Sequence, residues 1–201
     1  MTWPFGDIPM FSQRVIHIDP PWAYEMRTPK GYEKSPQAHY DCMTLDQLKE
    51  LPVGHLAMPD SVMVMWGVFS MMPQAIELLA HYGYRYCTGG PWAKQSSTGK
   101  KWAFGTGYVY RNAAEFWIVG KMGNPKERSK SVRNLIVAPV REHSRKPDQI
   151  YSDIEELWEG PYIDIFGRQQ REGWTVWGNQ VNKFGGHTAG ACQQSPMLTC
   201  T

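Results

Sequence analysis

The chain reads Arg14-Val-Ile-His-Ile-Asp-Pro-Pro-Trp22. Arg14–Ile18 is a short apolar run rich in β-branched residues, which predicts a buried strand. The two prolines stop it at once, because each lacks the amide donor that a ladder needs. In an open parallel sheet, ligands sit beyond the carboxyl ends of the strands. Asp19 follows its strand directly and so belongs to that zone. Pro20 and Pro21 leave a stiff rim of acceptors, the Asp19 carboxylate and the Pro20 carbonyl, beside the flat ring of Trp22. Two acceptors and a stacking surface suit an exocyclic amino group on an aromatic base. A strand-ending turn closed by a core tryptophan is the other reading of the same residues, and both stay open on these residues alone.

Further strands are predicted at Ser61–Trp66, Tyr84–Cys87, Ala113–Val119, Arg133–Val137, Tyr162–Phe166 and Trp174–Trp177. Helix signals alternate with them. Thr44 and Gln47 make a capping box ahead of Leu45, Leu48 and Leu51. Pro73 suits a first helical turn before Ile76 and Leu79, with Gly83 as the stop. Pro147 opens a predicted helix over Asp148–Trp158, with Ile150, Ile154 and Leu157 on one face. Such alternation indicates an α/β fold, a doubly wound and mostly parallel sheet. Irregular stretches at Ala23–Tyr40, Lys94–Arg111 and Gly120–Lys130 are long enough to carry function. A single domain is expected over residues 1–181, with 182–201 a flexible polar tail.

Composition bounds the classes. With 201 residues, a compact chain buries roughly 70% of its unfolded surface. Hydrophobic residues are 42% and charged residues 20%, which argues against disorder. No apolar run approaches the ~20 residues of a spanning helix, and Met1–Met10 carries no secretory pattern, so a cytoplasmic protein without membrane contact is expected. The cysteines, Cys42, Cys87, Cys192 and Cys200, show neither CxxC spacing nor a histidine partner, so no metal site and no disulfide framework is expected. The net charge is only +2. It hides an asymmetry: Lys94–Lys146 holds twelve Lys/Arg against three acids, leaving the rest of the chain net negative. A basic block among loops points to a polyanionic partner.

The tetrapeptide Asp19-Pro-Pro-Trp22 does not stand alone. Trp66-Gly67, Gly83-Tyr84, Trp92-Ala-Lys94, Gly105-Thr-Gly107, Glu115–Gly120, Ser144–Tyr151, Phe166-Gly-Arg168 and Trp177-Gly-Asn-Gln180 follow in order. This ordered set, over about residues 7 to 180, resembles the DPPW family of adenine amino-methyltransferases. That family includes the catalytic subunit of the messenger-RNA adenosine methyltransferase and bacterial and phage DNA-modifying enzymes. The resemblance implies a Rossmann-like methyltransferase fold in permuted order and S-adenosylmethionine as methyl donor. It implies a catalytic Asp19-Pro20-Pro21-Trp22, with Asp19 also touching the donor's methionine end. Lys146 would meet the donor's carboxylate, Arg168, Asn179 and Gln180 its ribose, and Asp7 and Ile8 would border its adenine. Two departures favour the microbial branch: Gln169-Gln170-Arg171 replaces the Pro-His-Asn run of the RNA enzymes, and Arg145 stands where they carry His.

The residues themselves agree with several of these roles. Lys146 precedes a helix start, where cation and dipole together favour a carboxylate. Gly167, just past a strand, lets backbone approach a ligand. The amides of Asn179 and Gln180 donate and accept, as ribose hydroxyls require. Trp22 or Tyr24 can stack on a flipped base, and Lys100, Lys101 and Arg111 suit phosphates. Positioning and placed acceptors supply the rate without a metal or a covalent enzyme intermediate. The expected activity is S-adenosylmethionine-dependent, site-specific methylation of the adenine amino group in DNA, with DNA preferred to RNA as partner. The same reaction on RNA is the alternative, as is a catalytically silent nucleic-acid-binding subunit of this fold. A homodimer or heterodimer is left open.

Overall fold

The structure, a computed structural model, describes residues 2–23, 42–107, 109–142 and 144–185. Its elements run β1 (Gln13–Ile18), α1 (Leu45–Glu50), β2 (Ala57–Gly67), α2 (Met72–His81), β3 (Arg85–Gln95), β4 (Ala114–Met122), β5 (Ile136–Pro139), α3 (Gln149–Leu157), β6 (Tyr162–Ile165) and β7 (Trp174–Trp177). The seven strands form one sheet in the order β5-β3-β4-β2-β1-β6-β7. β4 runs antiparallel to both β2 and β3. The other neighbours are parallel. The sheet is therefore mixed, with parallel pairs in the majority. No helix among the described residues is long and apolar enough to cross a membrane.

Strand periodicity sends alternate side chains to opposite faces. On one face Ile16, Ile18, Met63 and Met65 pack with Leu48 of α1 and Leu78 and Leu79 of α2. On the other, Val15, Val62, Val64 and Trp66 pack with Ile150 and Ile154 of α3. Both faces are thus covered by helices, as the alternation of elements predicts. The capping box of α1 is formed in both directions: Gln47 N–H donates to Thr44 Oγ1 at 3.2 Å, and Thr44 N–H to Gln47 Oε1 at 2.9 Å.

Three elements differ from the sequence reading. β3 extends to Gln95, well past Cys87, although Gly89-Gly90-Pro91 reads as a breaker. A Cβ on Gly90 would lie 2.2 Å from Asn134 O, so glycine is required by a close neighbour within a strand. Pro91 is tolerated because β5 pairs with β3 only from Trp92 onward. β5 lies at Ile136–Pro139, three residues later than expected at its start. α3 begins at Gln149 with Asp148 as its cap, so Pro147 precedes the helix rather than opening its first turn.

One polar chain is built into the core. His17 on β1 and Asp164 on β6 are register partners, and both are buried. Trp66 Nε1–H donates to His17 Nε2 at 2.9 Å. An indole N–H only donates, so Nε2 carries no proton and the ring's proton sits on Nδ1. Nδ1 then donates to Asp164 Oδ1 at 2.8 Å, and the Tyr151 hydroxyl donates to Asp164 Oδ2 at 2.8 Å. Burial first, then the Asp164 carboxylate, push the Tyr151 phenol far above its usual range, which keeps it a donor. Asp164→Ala would orphan both donors in the interior, and is expected to cost about 2–5 kcal/mol of stability. Urea denaturation checks this; a loss below about 1 kcal/mol, the worth of an ordinary hydrogen bond, would show that the chain of bonds is not structural.

Candidate active site

The carboxyl edge of the sheet is where the topology concentrates charge. Asp19 follows β1, and Lys94 lies near the end of β3. Because β4 runs the opposite way, its first residues, including Glu115, reach the same edge. Lys146 enters from the segment ahead of α3. Its Nζ lies 2.8 Å from each Asp19 oxygen and 3.4 Å from Glu115 Oε2. Lys94 Nζ donates to Glu115 Oε1. Trp66 lies beneath, its ring 5.5 Å from Lys146 Nζ. Acids and cations alternate, so no member of the half-buried cluster is left without a counter-charge. Burial alone would raise the Glu115 carboxyl, but Lys146 and then Lys94 outweigh it and hold it below the usual carboxylate range.

Asp19, Lys146, Gly167 and Arg168 line one cleft with Tyr151 and Phe184. The resemblance brings the first four together, and so does the structure. Two of the cleft's non-glycine residues have left-handed backbone, Ser144 at φ 65° and Phe166 at φ 64°. Such residues persist where surroundings overdetermine them, and they cluster at functional sites. Phe166 is held by Trp177, with ring centroids 5.6 Å apart, while Gly167 N–H donates to Trp177 O at 3.2 Å. The two departures from the RNA-enzyme pattern touch one another: Arg145 Nη2 donates to Gln169 Oε1 at 3.0 Å. The Arg145 guanidinium also lies 5.1 Å from the Phe184 ring.

Several expected roles change. Trp22 is 3% exposed and packs in the core, its Nε1–H donating to Trp66 O at 3.3 Å; it braces the turn and offers no open face for stacking. The Pro20 carbonyl already accepts the Trp22 N–H at 2.8 Å, and the Pro21 carbonyl the Met43 N–H at 2.7 Å. Of the tetrapeptide, only Asp19 lines the cleft. Gly167 is required by the chain itself, since a Cβ there would meet Asp164 Oδ2 at 2.7 Å and Val176 Cγ1 at 2.5 Å. Asn179 and Gln180 follow β7 in a turn and do not line the cleft; Gln180 Oε1 accepts from Lys183 Nζ at 3.1 Å. Asp7 is exposed and Ile8 packs on the core, its carbonyl accepting the Trp3 Nε1–H at 2.8 Å, while Phe5 stacks edge-on to Trp177. Lys100, Lys101 and Arg111 are exposed on the loop between β3 and β4. Tyr24 lies outside the described residues, as do residues 186–201 of the expected tail. Phe184, inside that expected tail, lines the cleft.

Glu115, His17, Asp164 and Tyr151 escaped assignment from sequence. A histidine inside Val-Ile-His-Ile and an aspartate inside Tyr-Ile-Asp-Ile were the available signals, since buried polar groups require partners. Their pairing depends on the β1–β6 register, which spans 147 positions.

The direction of the Glu115 shift sets a pH dependence. A carboxyl held low by the fold contributes stability at neutral pH, and that stability is lost as pH falls through the carboxylate range. Glu115→Gln is expected to cost about 1–3 kcal/mol at neutral pH and to flatten the acid side of the stability profile. Thermal melts of both proteins from neutral to acid pH measure it; parallel curves would mean that the cluster contributes no acid sensitivity.

The chain is similar to several known methyltransferases. The chain is 31% identical over 173 residues to the N(6)-adenosine-methyltransferase catalytic subunit METTL3 of Homo sapiens, covering 84% of this chain and 28% of that protein. It is 30% identical over 172 residues to an N(6)-adenosine-methyltransferase MT-A70-like protein of Arabidopsis thaliana, covering 84% of this chain and 24% of that one. The chain therefore spans about a quarter of the length of these relatives. Type II methyltransferase M.MunI of a Mycoplasma species is 26% identical over 195 residues, covering 88% of this chain and 81% of that protein. The MT-A70 family model matches residues 13–180, and with Asp19, Lys146 and Gly167 meeting at the carboxyl edge of an α/β sheet, the chain belongs to the MT-A70 family of methyltransferases.

Proposed function

We propose that this chain transfers a methyl group from S-adenosylmethionine to the exocyclic amino group of adenine in DNA. The observation that carries the reading is the Asp19–Lys146 pair, with both carboxylate oxygens on one ammonium at the cleft. Those two groups are the complements of an amino acid's charged end. Lys146 would take the donor's carboxylate and Asp19 its ammonium, each exchanging its present partner for one of the same sign. Arg168 lines the same cleft; Asn179, Gln180, Asp7 and Ile8 do not, and their ribose and adenine roles rest on the family resemblance. S-adenosylmethionine would supply an electrophilic sulfonium methyl; its carbon–sulfur bond would break as the amino nitrogen bonds the carbon, and the sulfur would leave as a neutral thioether.

The chain's own part is to hold that nitrogen. Its lone pair is delocalised into the base, and a hydrogen bond from the amino group to Asp19 draws it out of conjugation. One amino hydrogen leaves as a proton, through Asp19 to solvent. Fixed acceptors placed where N–H polarity grows account for rate without reorganisation. DNA is preferred to RNA for two reasons. Arg145 and Gln169, paired here, depart from the RNA-enzyme pattern. The type II methyltransferase is also matched over most of its own length.

Asp19→Ala is expected to lower methyl transfer by roughly 10²–10³-fold or more while the protein stays folded. Radiolabelled transfer to DNA and RNA pools, followed by nucleoside analysis, measures this; near wild-type transfer would remove Asp19 from the mechanism, and label on RNA alone would overturn the choice of DNA. Lys100→Gln with Lys101→Gln is expected to weaken binding evenly across sequences and to lower the log–log salt slope by about one unit per phosphate contact. Titration of one oligonucleotide at several salt concentrations checks it, and parallel slopes would take the phosphate role from these lysines.

A further inference from the structure

The loop between β3 and β4 carries aromatic rings that the protein does not use for itself. Trp102 is 63% exposed, Phe104 81%, Val109 88% and Tyr110 85%. Large apolar side chains clustered this openly on one segment mark an interaction surface. The segment is anchored directly to the ion cluster. Ala103 N–H donates to the carbonyl of Lys94 at 2.8 Å, Ser96 N–H to Lys101 O at 2.7 Å, and Gly105 N–H to Asn112 O at 2.9 Å. Gln95 and Trp102 form an antiparallel bridge. The rings therefore project from hydrogen-bonded turns that start one residue from the backbone of Lys94, whose side chain holds Glu115.

The charge of the segment selects the partner. Residues 96 to 112 contain Lys100, Lys101 and Arg111 and no acid. Two such surfaces facing each other repel, so a second copy of this chain is disfavoured and a polyanion is favoured. The Arg111 guanidinium lies 5.4 Å from the Phe104 ring, an arrangement that extends one stacking surface with a cation. A duplex presents phosphates outside and keeps its base faces covered. Only unpaired nucleotides offer a face for rings and a phosphate for cations within the same few ångströms.

We propose that Phe104 and Tyr110 stack on unpaired bases next to the target adenine, while Lys100, Lys101 and Arg111 hold the adjoining phosphates. The site thereby prefers single-stranded or locally opened nucleic acid to an intact duplex. The inference rests on the reading of the chain as a nucleic-acid methyltransferase and adds the strand state of its substrate. Base faces are common to DNA and RNA, so the surface accepts either sugar.

The test uses the full chain with a short adenine-containing single-stranded DNA, the RNA of the same sequence, and the matching DNA duplex, each fluorescently labelled. Wild type is compared with Phe104→Ala, Tyr110→Ala and Phe104→Leu, the last keeping apolar bulk but no ring. The expected result is tighter binding of both single strands than of the duplex. Each alanine variant should weaken single-strand binding roughly tenfold, and Phe104→Leu nearly as much, with an unchanged salt slope and unchanged S-adenosylmethionine binding by calorimetry. Equal affinity for strand and duplex, with all three variants like wild type, would overturn the inference while methyl transfer to adenine upheld the activity. Variants that turn a dimer into a monomer in sedimentation without losing oligonucleotide affinity would overturn it in favour of a second copy. Failure of wild type to bind any oligonucleotide or to methylate any pool would overturn the activity and the inference together.

Discussion

Everything at the functional end of this protein depends on one electrostatic constraint: Asp19, Glu115, Lys146 and Lys94 stand half-buried at one sheet edge. Charges withdrawn from water are costly unless paired. Lys146 meets that condition by bridging Asp19 and Glu115, and Lys94 completes Glu115. The arrangement holds both oxygens of the Asp19 carboxylate on Lys146 at the wall of the cleft. On the proposed reading, a carboxylate brought by the methyl donor would offer Lys146 the same charge that Asp19 does.

The cluster sits on a floor that is itself polar inside and apolar outside. Trp66 passes beneath Lys146, donates to His17, and through its carbonyl takes the indole N–H of Trp22. Position at the cleft is thus tied to the His17–Asp164–Tyr151 chain within the core. A fully satisfied buried network of this kind rigidifies its surroundings. The left-handed Phe166 and Ser144 lie against it, at the points where β6 and the segment before α3 turn into the cleft. Membership in the MT-A70 family is consistent with this division between a stiff edge that holds the chemistry and loops that reach outward from it.

The turn after β1 shows why residue type alone is ambiguous. Two prolines and a tryptophan suit both a stacking surface and a core brace. The choice fell to packing: the indole of Trp22 finds an acceptor in Trp66 O and a place among the residues of one face, so its ring is hidden. The exposed rings belong instead to the loop after β3, where Trp102, Phe104 and Tyr110 stay open to solvent and the Arg111 guanidinium stands beside Phe104.

Local signals in the sequence determined a good deal. Apolar runs located the described strands, though not the full extent of β3 or the start of β5, because buried strands demand continuous hydrophobicity and these two are largely exposed. The Thr44–Gln47 box marked the start of α1, because its hydrogen bonds are made within four residues. The ordered motifs from Asp19 to Gln180 identified the family and the acid at the strand end. Only the tertiary structure decided the rest. Glu115 became a partner of Lys146 because β4 runs antiparallel, and strand direction is set by pairing, which no local pattern encodes. His17 met Asp164 because β1 and β6 align in register across most of the chain. β3 ran through Gly90 and Pro91 because a neighbour's carbonyl needed the first and a missing neighbour excused the second. Propensity acts over a few residues. The forces that built this site act between segments distant in the chain, and they become definite only when those segments touch.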